Sequence, residues 1–212
     1  VYSGDVKIHF CPSLKDFYLK VFKFSKKYHI IHVHSLDKII PILRSLYPVK
    51  RIILHYHGSD IRGKSRCLKK RVYMWFPSTI FVSTNDLLQH VPNACYLPNP
   101  IDIEFFSSNR GLKNNRYGKA VYFLKYPDTE KELRVAKKIA EEKNLKLTVI
   151  NTCKGEYVPY YTLPEFLSNF EFFIDRVRIP SLSKTALEAL SLGLKVIRWD
   201  KRILDKFSPE HD

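Results

Sequence analysis

Short apolar runs alternate along this chain with stretches whose apolar residues recur every three or four positions. Val6–Phe10 reads as a short strand, and Leu14–Lys27 carries a helical stripe of Phe17, Tyr18, Val21, Phe22 and Phe24. Ile30–His34 reads as a strand, Leu36–Leu46 as a helix with Pro41 near its start, and Arg51–His57 as a strand stopped by Gly58. Residues 66–76 are expected to be helical, Thr79–Ser83 a strand, Asp86–Val91 a short helix and Ala94–Leu97 a short strand. Pro98-Asn-Pro100 then breaks the pattern, and residues 107–118 are polar and poor in hydrophobics, as a linker would be. Alternation resumes with strand Ala120–Leu124, helix Thr129–Lys143, strand Leu145–Ile150, short helix Leu163–Leu167 and strand Phe170–Asp175. Helix 129–143 is well marked: Thr129 can cap it, and Leu133, Ala136, Ile139 and Ala140 form its stripe. A helix starting near residue 183, a stop at Gly193 and the strand-like Leu194–Trp199 complete the series.

Such alternation predicts an α/β fold with parallel sheets covered by helices. The polar break divides it into two small doubly wound, Rossmann-like domains, 1–108 and 109–212, expected to face a cleft. In doubly wound sheets ligands bind outside the carboxyl ends of the strands, so that cleft is the expected site.

The 212 residues, 45% of them hydrophobic, suit packed domains rather than a disordered chain. No apolar run approaches the roughly 20 residues that span a bilayer. Asp5, Lys7 and His9 interrupt the first apolar stretch, so no secretory signal is expected. Cys11, Cys67, Cys95 and Cys153 are widely spaced, which fits a reduced, cytoplasmic protein with inert thiols. His and Cys show no zinc-ligand spacing, so no metal is expected.

The net charge of +15 is uneven: residues 1–110 carry 17 Lys and Arg against 7 Asp and Glu. Arg62–Arg71 holds six basic residues, and Val72-Tyr-Met-Trp-Phe76 follows directly. Basic residues beside aromatics suit an anionic membrane surface or a nucleic acid. The alternative is a solvated helix face over a buried aromatic one.

The most chemically informative segment is Ser181-Leu-Ser-Lys-Thr-Ala-Leu-Glu-Ala-Leu-Ser-Leu-Gly193. It places Ser183, Lys184 and Thr185 at a helix start, where unpaired N–H groups and a partial positive charge can hold a phosphate. Glu188 lies one turn in, where a carboxylate can accept hydrogen bonds from a ribose. Thr185-x-x-Glu188 also fits a capping box, in which both residues serve only the helix end. A second phosphate motif, Gly58-Ser-Asp-Ile-Arg-Gly-Lys-Ser65, matches a P-loop with Lys64 on phosphate and Ser65 on magnesium. Asp60, Ile61 and Arg62 are bulky or wrongly charged for a phosphate cradle, and Asp60 would repel the anion.

Taken in order, four segments resemble the GT-B glycosyltransferases, and within them the large family of retaining nucleotide-sugar enzymes. They are His29-Ile-Ile-His-Val-His34, His57-Gly-Ser-Asp60, Phe81-Val-Ser83 with Leu97-Pro-Asn-Pro-Ile-Asp102, and Ala186-Leu-Glu-Ala-Leu-Ser-Leu-Gly193 with Val196-Ile197. The resemblance implies transfer of a sugar from a UDP- or GDP-linked donor to a lipid, glycan or protein, without a metal or other cofactor. It implies that His57 contacts the transferred sugar, with Asp60 and Asp175 as further candidates for catalysis. Lys125 and Lys131 correspond to the basic pair that neutralises the donor diphosphate. Ser183, Lys184 and Thr185 would contact phosphate, helped by Arg176 and Arg178, and Glu188 would hold the ribose. An anionic membrane surface is the expected partner of residues 62–76, and nucleic acid is not expected. One departure stands out: the family's other Glu, eight residues before Glu188, is Pro180 here. Two rival readings remain open: a catalytically impaired, glycosyltransferase-like protein that binds nucleotide, nucleic acid or membrane, and a P-loop nucleotidase.

Overall fold

A computed structural model describes residues 13–64, 66–91, 93–108, 114–125 and 129–206. The Val6–Phe10 strand, Cys11, Ser65, the centre of the 107–118 linker and the Thr129 cap lie outside the described residues and side chains. The chain divides into two compact units, Val1–Phe81 and Val82–Asp212.

In the first unit, α1 (Leu14–Ser25) starts where the Ser13 hydroxyl accepts the Asp16 N–H at 3.1 Å. Strand β1 (Ile30–His34) runs parallel to β2 (Arg51–Tyr56), with His34 opposite His55 and His32 opposite Ile53. Between them, a 3₁₀ turn at Asp37–Ile39 leads into α2 (Ile40–Leu46), and Pro41 occupies its first turn, where a missing N–H costs nothing. The strand is buried through Ile52, Leu54 and Tyr56, which share the core with Ile39, Ile40 and Leu43. Arg44 stitches the surrounding loops: its guanidinium donates to the carbonyls of Phe76, Pro48 and Lys50 and to Ser78 Oγ, all within 2.9 Å. Helix α3 (Leu68–Tyr73) buries no side chain completely, but Lys70 reaches Asp37, which also accepts from the Tyr56 hydroxyl at 3.0 Å. With β3 (Thr79–Val82), which ends at the unit boundary, and β4 (Cys95–Tyr96), which follows it, these strands form a sheet of order β1-β2-β3-β4.

The second unit continues with α4 (Ile103–Ser108), β5 (Lys119–Leu124), α5 (Thr129–Glu142), β6 (Lys146–Asn151) and α6 (Leu163–Leu167). It ends with β7 (Phe172–Ile174), α7 (Lys184–Leu192), β8 (Lys195–Ile197) and β9 (Ile203–Leu204). Its sheet has the order β6-β5-β7-β8-β9, parallel except for the final pair. Strand alternation sends side chains to two cores. Val121, Phe173 and Val196 pack with Leu167, Ala186, Leu190 and Leu192 of α6 and α7. Ala120, Tyr122, Ile174 and Ile197 pack with Ala136, Ile139 and Ala140 of α5 on the opposite face. Both faces are therefore covered, which is the doubly wound arrangement expected from the alternating pattern. The chain leaves β5 towards β6 on one side and returns to β7 on the other, so the strand order reverses between β5 and β7.

Helix α4 and strand β9 are not expected from the sequence pattern. Helix α4 begins where Asp102 Oδ1 accepts the Phe105 N–H at 2.9 Å, and it is anchored by the fully buried Phe106. Helix α7 ends at Gly193, whose φ of 86° lies in the left-handed region that a side chain disfavours.

Leu192→Ala, which empties a fully buried position of α7, is expected to lower unfolding free energy by about 2–5 kcal/mol in chemical denaturation. Gly193→Ala is expected to cost about 1–2 kcal/mol through backbone strain alone. A loss well below 1 kcal/mol at Leu192 would mean that α7 is not packed on the sheet as described.

Candidate functional site

At the point where the strand order reverses, the carboxyl ends of β5 and β7 deliver their loops side by side. Lys125 follows β5 directly, and Asp175 and Arg176 follow β7. Asp175 is buried and accepts the Ser183 N–H at 2.8 Å, which fixes where the next helix starts. Ser183 is the N-cap of α7, its hydroxyl accepting the Ala186 N–H at 3.1 Å. The capping box at Thr185 and Glu188 is therefore not formed; the cap lies two residues earlier. The N–H groups of Lys184 and Thr185 fall in the first helical turn, where no intrahelical acceptor exists.

Around that turn the side chains converge. Lys125 Nζ donates to Thr185 Oγ1 at 3.2 Å. Lys184 Nζ lies 3.6 Å from Glu188 Oε1 and 5.2 Å above the Tyr160 ring, whose hydroxyl also hydrogen-bonds the Glu188 carboxylate. Arg176 donates to the Ser181 hydroxyl at 3.0 Å. Two buried polar atoms here have no hydrogen-bond partner among the described residues, Glu188 Oε1 and Arg176 Nε. Buried acceptors and donors of this kind are costly unless something satisfies them.

Burial pushes the Glu188 carboxyl above the ordinary glutamate value, although Lys184, Lys125 and Tyr160 all pull it down. Lys125 is held below the ordinary lysine range, first by burial of its ammonium and then by Arg176, against the opposing pull of Asp175 and Glu188. Alongside the later turns of α7, a cavity of about 540 Å³ is lined by Pro98–Ile101, Ile103, Leu187, Leu190 and Ser191. Its volume is in the range of small-molecule sites, roughly 300–1,000 Å³.

Of the residues singled out from the sequence, Lys125, Ser183, Lys184, Thr185 and Glu188 come together here. Lys131 is an exposed residue on α5. Tyr160, in a 3₁₀ turn at Tyr160–Thr162, was not anticipated; the aromatic run Tyr160-Tyr161 after Pro159 is its only sequence signal. Pro180 is exposed in the loop before α7.

His57 and Asp60 lie in the first unit, past the end of β2. The Asp60 carboxylate accepts from the His57 N–H at 3.0 Å, the Gly58 N–H at 2.7 Å and the Ser35 hydroxyl. Burial alone would raise this carboxyl, but the accepted hydrogen bonds outweigh it and hold it below the ordinary aspartate value. Of the amides that a P-loop would offer to phosphate, that of Gly58 is occupied by the chain's own anion and those of Ile61, Arg62 and Lys64 donate to carbonyls within the turn, while Lys64 Nζ turns back to the Ser59 carbonyl at 2.8 Å. His57 Nε2 lies 2.7 Å from His34 Nδ1. In the basic–aromatic segment, Lys69 and Arg71 are exposed and Trp75 is 78% exposed. No helix among the described residues is long and apolar enough to cross a membrane.

No protein-family model matches this chain. No curated protein matches it either. Among solved structures, it is similar to sucrose-phosphate synthase from Thermosynechococcus elongatus, with a TM-score of 0.51 and 13% sequence identity. The likeness covers 87% of this chain and 60% of that one, so this chain spans less than two thirds of the other protein's length. The similarity is one of fold, and it agrees with the GT-B-like architecture that the four motifs imply.

The raised Glu188 carboxyl gives a pH signature. A carboxyl that binds its proton more tightly in the folded chain favours folding at low pH, and that contribution is lost as pH rises from the ordinary glutamate value through the raised one. Glu188→Gln has no such proton to lose. Its melting temperature, relative to the unaltered chain, is expected to rise between about pH 4 and about pH 7. A difference that stays constant or falls over that range would contradict the desolvated carboxylate.

Proposed function

We propose that the chain is a glycosyltransferase that takes a sugar from a nucleotide-diphosphate donor, held at the start of α7. The reading rests on one observation: Lys125, Lys184 and the first-turn amides of α7 converge where the strand order reverses, one turn from a buried Glu188 oxygen that has no hydrogen-bond partner among the described residues. The donor diphosphate would lie against Lys125, Thr185 and the helix N-terminus, with Arg176 beside it. A ribose hydroxyl would donate to Glu188 Oε1, and the cavity along α7 offers room for the base.

In the reaction the bond between the anomeric carbon and the diphosphate oxygen breaks, and the electron pair leaves with the diphosphate. The acceptor hydroxyl forms the new bond to the anomeric carbon and passes its proton to the departing diphosphate. Negative charge grows on the departing group, so fixed cations and oriented amides lower the barrier without a divalent ion at that position. By the resemblance of the His57–Asp60 motif, His57 is proposed to contact a sugar, with Asp60 holding its loop. An anionic membrane surface is proposed to meet Lys69, Arg71 and Trp75.

A second reading has one observation in its favour. Pro180 stands where the related enzymes carry an acidic group, and it can neither accept a hydrogen bond from the sugar nor stabilise charge. Donor binding without turnover would then be the activity.

Titration with UDP- and GDP-sugars separates these readings. Lys125→Ala and Glu188→Ala are each expected to weaken donor binding at least about tenfold, roughly 1.4 kcal/mol. Lys131→Ala is expected to have a smaller effect. Unchanged binding curves for both of the first two variants would remove the donor-site assignment. Saturable donor binding with no transfer or hydrolysis of any nucleotide sugar would favour the binding protein.

A further inference from the structure

A second cluster of chemical groups lies in the first unit, outside the site around α7. Alternate residues of a strand share a face, so β1 presents His32 and His34 together. The parallel register sets His55 of β2 opposite His34, and His57 follows two residues later. Four imidazoles are thereby stacked against one another. Ring centroids are 4.3 Å apart for His32 and His34, 5.5 Å for His32 and His55, and 5.3 Å for His34 and His55. One ring nitrogen from each of these three residues lies within 4.8 Å of the other two. The fourth ring, His57, hydrogen-bonds His34 across 2.7 Å and so fixes its orientation. Phe81 closes one side, its ring centroid 6.0 Å from His55.

Stacked imidazoles tolerate little positive charge. Imidazole binds a metal in its neutral form, through a ring nitrogen. His32 and His34 are exposed, so an ion has access, while the buried His55 gives the cluster a rigid base.

We propose that His32, His34 and His55 form a binding site for one borderline divalent cation, with zinc the best match to three imidazoles and His57 orienting the His34 ring. Zinc holds imidazole nitrogens at about 2.0–2.1 Å, which brings them roughly 3.3 Å from one another. Closing from the present spacing requires modest rotation of the exposed His32 and His34 side chains. Three protein ligands leave one coordination position for water or an anionic group. An outer hydrogen bond to a ligating histidine, as His57 supplies, is the usual way such rings are held. The proposed site departs from the expectation of no metal, because its ligands come from two strands and are joined by register rather than by spacing along the chain.

The test uses the full chain stripped of metal by chelation, and no nucleotide sugar, so its outcome is independent of the donor-site reading. Calorimetric titration with Zn²⁺ at neutral pH is expected to show one ion per chain, and Co²⁺ is expected to give the intense visible bands of a four-coordinate nitrogen site. His32→Gln and His34→Gln should each weaken Zn²⁺ binding at least about tenfold and abolish the Co²⁺ bands. His29→Gln and His90→Gln, outside the cluster, should bind as the unaltered chain does. The absence of saturable binding in the unaltered chain overturns the site, and the Co²⁺ spectrum gives that answer without any variant. Equal affinity in His32→Gln, His34→Gln and the unaltered chain overturns it as well.

Discussion

The hydrogen-bonded position of β5, with β6 on one side and β7 on the other, is the constraint on which the second unit depends. Parallel strands cannot be joined by tight turns, so each crossover must carry a helix over a sheet face. One helix, α5, covers one face, and α6 with α7 covers the other. Because the two crossovers depart in opposite directions, their loops diverge above β5 and β7. Lys125 and the Asp175–Ser183 segment border the opening this leaves. The chemistry at α7 is thus a consequence of strand order before it is a property of any residue.

Packing then sets the electrostatics. Helix α7 is apolar nearly all round, with Ala186, Leu187, Ala189, Leu190 and Leu192 all buried. Such burial draws Glu188 into the same low-dielectric layer and leaves it only 2% exposed. A carboxylate in that position needs compensation, and Lys184, Lys125 and the Tyr160 hydroxyl supply part of it. Lys125 is exposed as a residue, but desolvation of its ammonium beside Thr185 works against its charge. The two groups are displaced towards neutrality from opposite directions, as expected of desolvated partners that do not fully satisfy each other. A ligand bearing both an anion and a hydroxyl donor complements this imbalance.

Much of the fold was legible in the sequence because both faces of the second sheet are buried and its strands read as apolar runs. Ile30–His34 and Leu163–Leu167 appear at the expected bounds, and α5 differs from its expected end by one residue. Helix α4 was hidden because six residues after a Pro-Asn-Pro break are too few to show a helical period, and Phe106 acts through a long-range contact. The two-residue β9 has no pattern of its own; it exists by antiparallel pairing with β8. In the site, Thr185 and Ser183 were equally good caps by residue type, and the Asp175 carboxylate decided between them. Tyr160 and the histidine cluster depend on parts of the chain brought together only by tertiary register, which spacing along a sequence does not reveal.

Asp60 has a further consequence. Its carboxylate gathers the Ser35 hydroxyl and the amides of His57 and Gly58, so the turn after β2 is shaped by the chain's own groups. The conformational entropy of that turn is lost during folding rather than at the moment of encounter. Groups displayed from it, His57 above all, are held like fixtures on a rigid frame. A partner arriving at this end of the sheet would meet a surface that selects by shape and charge at once, with no ordering step to slow its capture.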